Sequence, residues 1–341
     1  MRAVVCAAKG GDFTPTTMAV PTPQEGQVLV KVEACGVCGG DHGIKDGTVP
    51  GASWPRIPGH EAVGVVVALG PGAKRWKVGD RVGRGWAGGH CFECKNCRKG
   101  EFLACKQHFT TGLNQDGGWA EYMAARWESL VAIPAGMSAE QAAPLLCAGV
   151  TVFNSIRNMG VKAGAWVAVQ GIGGLGHLGV QFASKMGYRV IVLSTSADKE
   201  KFARDLGALE YIDVSKEDAV KRVQEITSGQ GVALVVSTSP SGKAMTSVIN
   251  TLGNNGVLLT LGAGSDPLSL LSGQLIGMSR SVRGWPSGTP NDSEECLEFA
   301  HAFGVKVLTE SFPLEQAAQT YDAMNANKLR FRGVLLTGNK A

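Results

Sequence analysis

Cys91, Cys94, Cys97 and Cys105 crowd one short stretch with the spacing Cys-x2-Cys-x2-Cys-x7-Cys. Thiolates spaced this way can close a tetrahedron around Zn²⁺ with no open position, which is the structural rather than the catalytic kind of site. Lys95, Arg98 and Lys99 stand among them and offset part of the charge of a tetrathiolate. In a reducing compartment such a cluster reads as metal binding before disulfides. His90 and His108 flank the cluster as bystanders, since the sulfurs already fill the shell. Cys38, the His60–Glu61 pair and Cys147 carry metal-ligating groups too, but they lie far apart in the chain. Taken singly, each reads equally well as core. Cys6, Cys35 and Cys296 lack metal spacing and read as core.

A second chemistry is written in glycines. The run Val-Ala-Val-Gln-Gly-Ile-Gly-Gly-Leu-Gly sets Gly171, Gly173, Gly174, Leu175 and Gly176 after an apolar strand and at the start of a helix. In that setting the pattern is specific for a dinucleotide: glycine admits the pyrophosphate close to the backbone, and the helix N-terminus offers free N–H groups and its positive dipole end. An NAD site carries an acid about twenty residues further on. Here the second strand ends on Ser194, Thr195 and Ser196, with Lys199 beyond. Hydroxyls and an ammonium bind a 2′-phosphate that a carboxylate would repel, so NADP(H) is expected over NAD(H). Asp198 is the competing acid, placed where it would cap the next helix.

The elements that must position these groups come in two textures. Residues 1–145 show short β-type runs (Val28–Val32, Ala62–Ala68, Arg81–Val82, Leu130–Ile133) with long loops from Cys35 to Gly59 and Gly83 to Gly118. This predicts a mostly-β, barrel-like region with function on its loops. From Lys162, strands alternate with helices: strands at Trp166–Gln170, Arg189–Leu193, Glu210–Val214, Ala233–Ser237 and Gly256–Leu261, and helices through Met186 and at Ala197–Leu206, Glu217–Thr227 and Lys243–Leu252. Alternation of this kind predicts βαβ units and a doubly wound parallel sheet. Helices at Ser293–Phe303 and Leu314–Ala326 precede a last apolar run, Gly333–Leu336. With 341 residues, 44% hydrophobic and 18% charged, the chain is a globular α/β protein long enough for two domains. The net charge of +4 is scattered, which argues against nucleic acid or an anionic membrane as partner. No run approaches the roughly 18–20 apolar residues of a membrane span, and no leader is evident, so a cytoplasmic location is expected.

Pro-Gly-His-Glu, the cysteine lobe after Gly-Gly-His, Cys-Ala-Gly-Val-Thr and Gly-Ile-Gly-Gly-Leu-Gly occur in an order and spacing that resembles the zinc-containing medium-chain dehydrogenase/reductase family, and most of all its NADP-dependent alcohol (aldehyde) dehydrogenases. The resemblance spans nearly the whole chain. It implies a GroES-like catalytic domain (1–148 and 286–341, with a structural zinc lobe at 88–106) and a Rossmann dinucleotide domain (149–285). It further implies two zincs per chain. Cys38, His60 and Cys147 would hold the catalytic ion, with Glu61 as an exchangeable fourth ligand and Asp41 orienting His60. Thr151 would lie by the nicotinamide, Arg332 near the pyrophosphate, and Trp86 in the substrate pocket. The implied activity is hydride transfer between NADP(H) and a small aldehyde, ketone or alcohol.

One departure matters. The family usually has a hydroxyl residue two positions after the first zinc cysteine, but here that position is Gly40, preceded by Gly39. Water or His42 would then have to carry the proton, and Gly40→Ser should raise alcohol oxidation if the missing hydroxyl is limiting. The gap keeps open a second activity, 1,4-reduction of conjugated C=C or iminium substrates. A third reading, a dinucleotide-binding protein without catalysis, has no need of an open zinc. The apolar stretch Leu268–Trp285 reads as a β-type subunit contact, so a homo-oligomer, dimer or tetramer, is expected. Most of the seven tryptophans read as core.

Overall fold

The computed structural model describes residues 1–339. The chain divides into two compact units, Met1–Val150 with Gly288–Ala341, and Thr151–Ser287. The cuts expected from sequence, after 148 and before 286, lie close to these.

In the first unit a seven-stranded sheet is organised around one long strand, Gln27–Val37. Its sequence is largely valine, leucine and alanine, and almost all of it is buried. Ala62–Leu69, Tyr122–Arg126 and Arg332–Leu336 all pair with it antiparallel. The register decides where chemistry collects. Cys35 faces Ala62, and Val37 faces Gly333. The residues just beyond those pairs, Cys38, Glu61 with His60, and Arg332, therefore gather at one end of the sheet. Cys147 closes the short 3₁₀ turn Ala143–Leu146 of the same unit.

A hairpin of Arg2–Cys6 and Phe13–Thr17, not expected from sequence, adds a small sheet. Its second strand reads Phe-Thr-Pro-Thr-Thr and is exposed after Phe13, so it shows no alternating pattern. Phe13 anchors it edge-on against Trp119, with ring centroids 4.9 Å apart. Of the seven tryptophans only Trp119 is fully buried, and Trp54, Trp76, Trp86, Trp127 and Trp166 are half-buried and pack against the hydrophobic cores. The helix Pro290–Phe303 has both ends written locally: Thr289 and Asp292 form a capping box, proline takes the first turn, and Gly304 closes in the left-handed conformation.

The second unit is a six-stranded sheet, parallel throughout. In spatial order its strands are Glu210–Asp213, Arg189–Ser194, Trp166–Gln170, Val232–Ser237, Leu252–Thr260 and Ser281–Gly284. That is order 3-2-1-4-5-6, the dinucleotide-binding topology with its switch point between the first and fourth strands. The central strands Trp166–Gln170, Arg189–Ser194 and Val232–Ser237 are rich in valine and almost wholly buried, as strands covered on both faces must be, whereas the outermost strand Ser281–Gly284 is largely exposed. Two predicted helices are broken where they begin or end. Ala197–Lys199 is a 3₁₀ turn before Glu200–Asp205, and the helix from Gly242 stops at Ser247 before a 3₁₀ turn, Ile249–Thr251. The stretch Leu268–Trp285 is not all β: Ser272–Ile276 is helical, and only Ser281–Gly284 joins the sheet, as its outermost strand.

Candidate active site

At the end of the first unit's sheet, Cys38, His60, Glu61 and Cys147 bring their ligand atoms within 4.8 Å of one another. The Cys38 and Cys147 sulfurs are 3.8 Å apart and are not bonded. Two sulfurs about 2.3 Å from one tetrahedral ion stand about 3.8 Å apart, so this spacing is the edge of a zinc shell. Asp41 sets the geometry. Its Oδ1 is 3.1 Å from His60 Nδ1 and accepts from Gly59 N at 3.2 Å, while Oδ2 accepts from Cys38 N at 2.9 Å. With Nδ1 so engaged, His60 presents Nε2 to the cluster. Nε2 is buried and has no hydrogen-bond partner, and the same holds for Glu61 Oε2. Buried polar atoms without partners are rare, and a cation at this point satisfies both. Glu61 Oε1 instead accepts from Arg332 Nη2, in an ion pair buried on both sides.

The electrostatics of the cluster fit the same reading. Contact with Cys147 holds the Cys38 thiol well below its ordinary range, and the same contact pushes Cys147 well above it. Burial opposes a charge on His60, but Asp41 and the Cys38 sulfur together hold its pKa well above the usual value. Burial raises Glu61 to about 7 against the pull of Arg332. Two thiols, an imidazole and a carboxylate buried together form a donor set that suits a divalent cation. The Trp86 ring stands edge-on to His60, with centroids 4.8 Å apart and planes at 87°. His42 is half-buried and turns its Nδ1 to the carbonyl of Gly39.

The Cys91, Cys94, Cys97 and Cys105 sulfurs likewise lie within 4.8 Å of one another. Cys91 is 4.0 Å from Cys97 and 3.5 Å from Cys105. Backbone N–H groups point at the sulfurs, from Cys94 to Cys91 at 3.4 Å and from Gln107 to Cys105 at 3.3 Å. Such donors hold the Cys94 thiol down to about 6. His90 stacks on Phe102 and His108 meets Thr110, so neither joins the ligand set.

In the second unit the glycine turn follows Trp166–Gln170 and runs into the helix Gly176–Lys185. Gly171 has φ +87°, and a Cβ at Gly176 would overlap the Gly171 carbonyl oxygen, so each glycine is required for a different reason. Gly173, Gly174 and Leu175 lie between them at the helix start. Ser194 ends its strand buried, Thr195 is exposed, and Lys199 is half-buried. Asp198 does not cap the following turn; its carboxylate accepts from Ser196. Thr151 lies in the helix Ala148–Arg157.

Residues 24–135 match the alcohol dehydrogenase GroES-like domain, and residues 174–302 match the zinc-binding dehydrogenase domain. Alcohol dehydrogenase patD of Penicillium expansum is 44% identical over 96% of this chain and 95% of its own length. The chain belongs to the zinc-containing medium-chain alcohol dehydrogenases. An alcohol dehydrogenase of Geobacillus stearothermophilus is 38% identical, covering 92% of this chain and 93% of its own. The solved structure of an NAD-dependent alcohol dehydrogenase superposes with a TM-score of 0.92 at 28% identity, covering 99% of this chain and 100% of its own. The dehydrogenase is thus a GroES-like domain with a Rossmann-type parallel sheet, and no helix among its described residues is long and apolar enough to cross a membrane.

Sequence reasoning did not foresee Arg332 as the partner of Glu61. The register of the last strand sets its guanidinium against that carboxylate. A second acid near the coenzyme strand was also missed: Asp213 lies beside Ser194 in register, is buried, and bonds Ser215. The only signal for it in the sequence is its place at the end of the next strand.

Proposed function

We propose that this dehydrogenase holds two zinc ions per chain and moves hydride between NADP(H) and a small aldehyde, ketone or alcohol. The observation that carries this reading is the convergence of Cys38, His60 and Cys147 while Glu61 is drawn aside by Arg332. Three protein ligands leave one position for substrate. Bound there, zinc supplies Lewis acidity that polarises a carbonyl oxygen or acidifies an alcohol. Asp41 fixes the tautomer of His60 so that Nε2 offers its lone pair. Trp86 walls the substrate side of His60, and His42 serves as the terminal base for the proton. The glycine turn takes the pyrophosphate, Thr151 the nicotinamide, and Ser194, Thr195, Ser196 and Lys199 the 2′-phosphate.

Cys38→Ser or His60→Ala should reduce zinc from two ions per chain to one and abolish turnover; full turnover by a protein with one ion sinks the reading. The coenzyme reading requires kcat/KM for NADPH to exceed that for NADH. Gly40, with no hydroxyl to pass a proton, favours 1,4-reduction as the second activity. An α,β-unsaturated aldehyde separates the two: allylic alcohol supports carbonyl reduction, and saturated aldehyde the alternative. A non-catalytic binder would not need the open cluster. We further propose a homo-oligomer in the cytoplasm, assembled through the outermost strand Ser281–Gly284 and the neighbouring Leu271 and Ile276, which are 75% and 76% exposed.

A further inference from the structure

Gly36 lies in the middle of the site's scaffold, in the long strand two residues before Cys38. Its φ is not in the left-handed region, so its backbone would accept any residue. Space is what forbids a side chain. A Cβ at Gly36 would overlap Glu61 Oε2 and stand 2.8 Å from Glu61 Cδ and 3.0 Å from Glu61 Cβ. The strand cannot retreat to make room. Gly36 N donates to the Glu61 carbonyl at 3.0 Å, and Trp119 Nε1 donates to the Gly36 carbonyl at 3.3 Å. Glu61 is fully buried, so its carboxylate has no route to solvent. It lies over Gly36 beside Arg332, with one oxygen within 4.8 Å of the ligand atoms of Cys38, His60 and Cys147, so the cluster is the neighbouring buried place that a displaced carboxylate meets.

We propose that Gly36 is a positioning residue that parks the Glu61 carboxylate: its missing side chain is the slot that keeps Glu61 on Arg332 and off the substrate's coordination position. The inference rests on the reading of this cluster as the substrate-binding zinc site. Filling the slot evicts the carboxylate toward the ion, where it competes with substrate from within the molecule. An internal competitor raises the KM for the carbonyl and leaves kcat at saturation, and an added ligand slows loss of the ion.

The test is a cycle of Gly36→Ala, Glu61→Ala and the double variant, in the zinc-loaded enzyme. It reads KM and kcat for benzaldehyde, the KM for coenzyme, and the rate of zinc release to a chromophoric chelator. Gly36→Ala should raise the benzaldehyde KM and slow release of one ion by about tenfold each, leaving kcat and the coenzyme KM within about twofold. In the Glu61→Ala background the same substitution should change neither by more than about twofold, since the contact between Cβ atoms is common to both backgrounds and cancels. An equal effect in both backgrounds, no effect in either, or a fall in kcat at constant KM overturns the proposal. If Gly36→Ala does not fold, a folded double variant supports the clash with Glu61, and an unfolded one overturns it. Cys38→Ser, assayed alongside, separates the two ideas. If it keeps both ions and full turnover, the zinc reading itself has failed; if it loses one ion, a negative cycle counts against Gly36 alone.

Discussion

The cluster's chemistry depends on second contacts as much as on its ligands. Asp41 touches His60, Gly59 and the backbone of Cys38, so it fixes two of the ligand-bearing segments at once. Asp41→Asn keeps the shape but loses the charge, and should weaken zinc binding and turnover by about 10–100-fold, measured by chelator competition and kcat/KM. Gly40 corrects a simpler expectation. A Cβ there would stand 3.1 Å from both Trp86 Cζ3 and His60 Cε1. A hydroxyl added at this position therefore arrives with crowding, and Gly40→Ser alone should lower kcat/KM for alcohol oxidation rather than raise it. At about 1 kcal/mol of overpacking the loss is roughly fivefold. Trp86→Phe, which shortens the ring and leaves only the contact with His60, should recover part of it; a gain from Gly40→Ser alone would show that the hydroxyl outweighs the contact. Asp41 and Gly40 stand out in the sequence beside Cys38, but the closeness of Gly40 to Trp86 lies in no spacing, because it joins the 3₁₀ turn Gly39–Asp41 to the link between the strands Arg81–Arg84 and Ala87–Gly89.

At the scale of elements, the Rossmann half was legible because its strands are continuous apolar runs and its turns are punctuated by glycine. Boundaries moved by a few residues where a 3₁₀ turn replaced helix, as at Ala197–Lys199, where Asp198 engages Ser196 instead of capping. The hairpin Arg2–Cys6 with Phe13–Thr17 was missed for a physical reason: Pro15 and exposed threonines give no alternation, and what holds the strand is Phe13 against Trp119, a tertiary contact. The glycine turn offers a test at this scale. Gly176→Ala places a methyl on the Gly171 carbonyl and should destabilise the second unit by about 1–3 kcal/mol and raise the coenzyme KM, with the zinc content of both sites unchanged. Calorimetry with coenzyme titration decides it; an unchanged coenzyme KM would mean that the turn tolerates the side chain.

Over the whole molecule, the proposed pair of zinc sites, one closed and one open, would respond differently to loss of its ion. A tetrathiolate contributes to folding, whereas an open three-ligand site contributes to chemistry. Cys97→Ser should therefore lower Tm and loosen the lobe while the other site keeps its ion, whereas Cys38→Ser should abolish turnover with little change in Tm. Differential scanning calorimetry beside metal analysis separates them, and equal loss of Tm in both variants would contradict the division. Light scattering tests assembly: replacing Leu271 and Ile276 with lysine should shift an oligomer toward smaller species, and a wild-type monomer would reject assembly outright.

The sequence by itself determined the two textures, the alternation of strands and helices, the cysteine lobe and the dinucleotide turn, because each is written in residues close together in the chain. A tetrathiolate or a glycine turn needs only local spacing to be recognised. What only the tertiary structure decided is which distant side chains share a site. The register of Cys35 on Ala62 and of Val37 on Gly333 carries Cys38, Glu61 and Arg332 to one end of the sheet. It makes Arg332 the partner of a carboxylate and makes the empty side of Gly36 a place for that carboxylate to rest. Strand register fixes such meetings through backbone hydrogen bonds, which every residue makes alike and which no residue type announces.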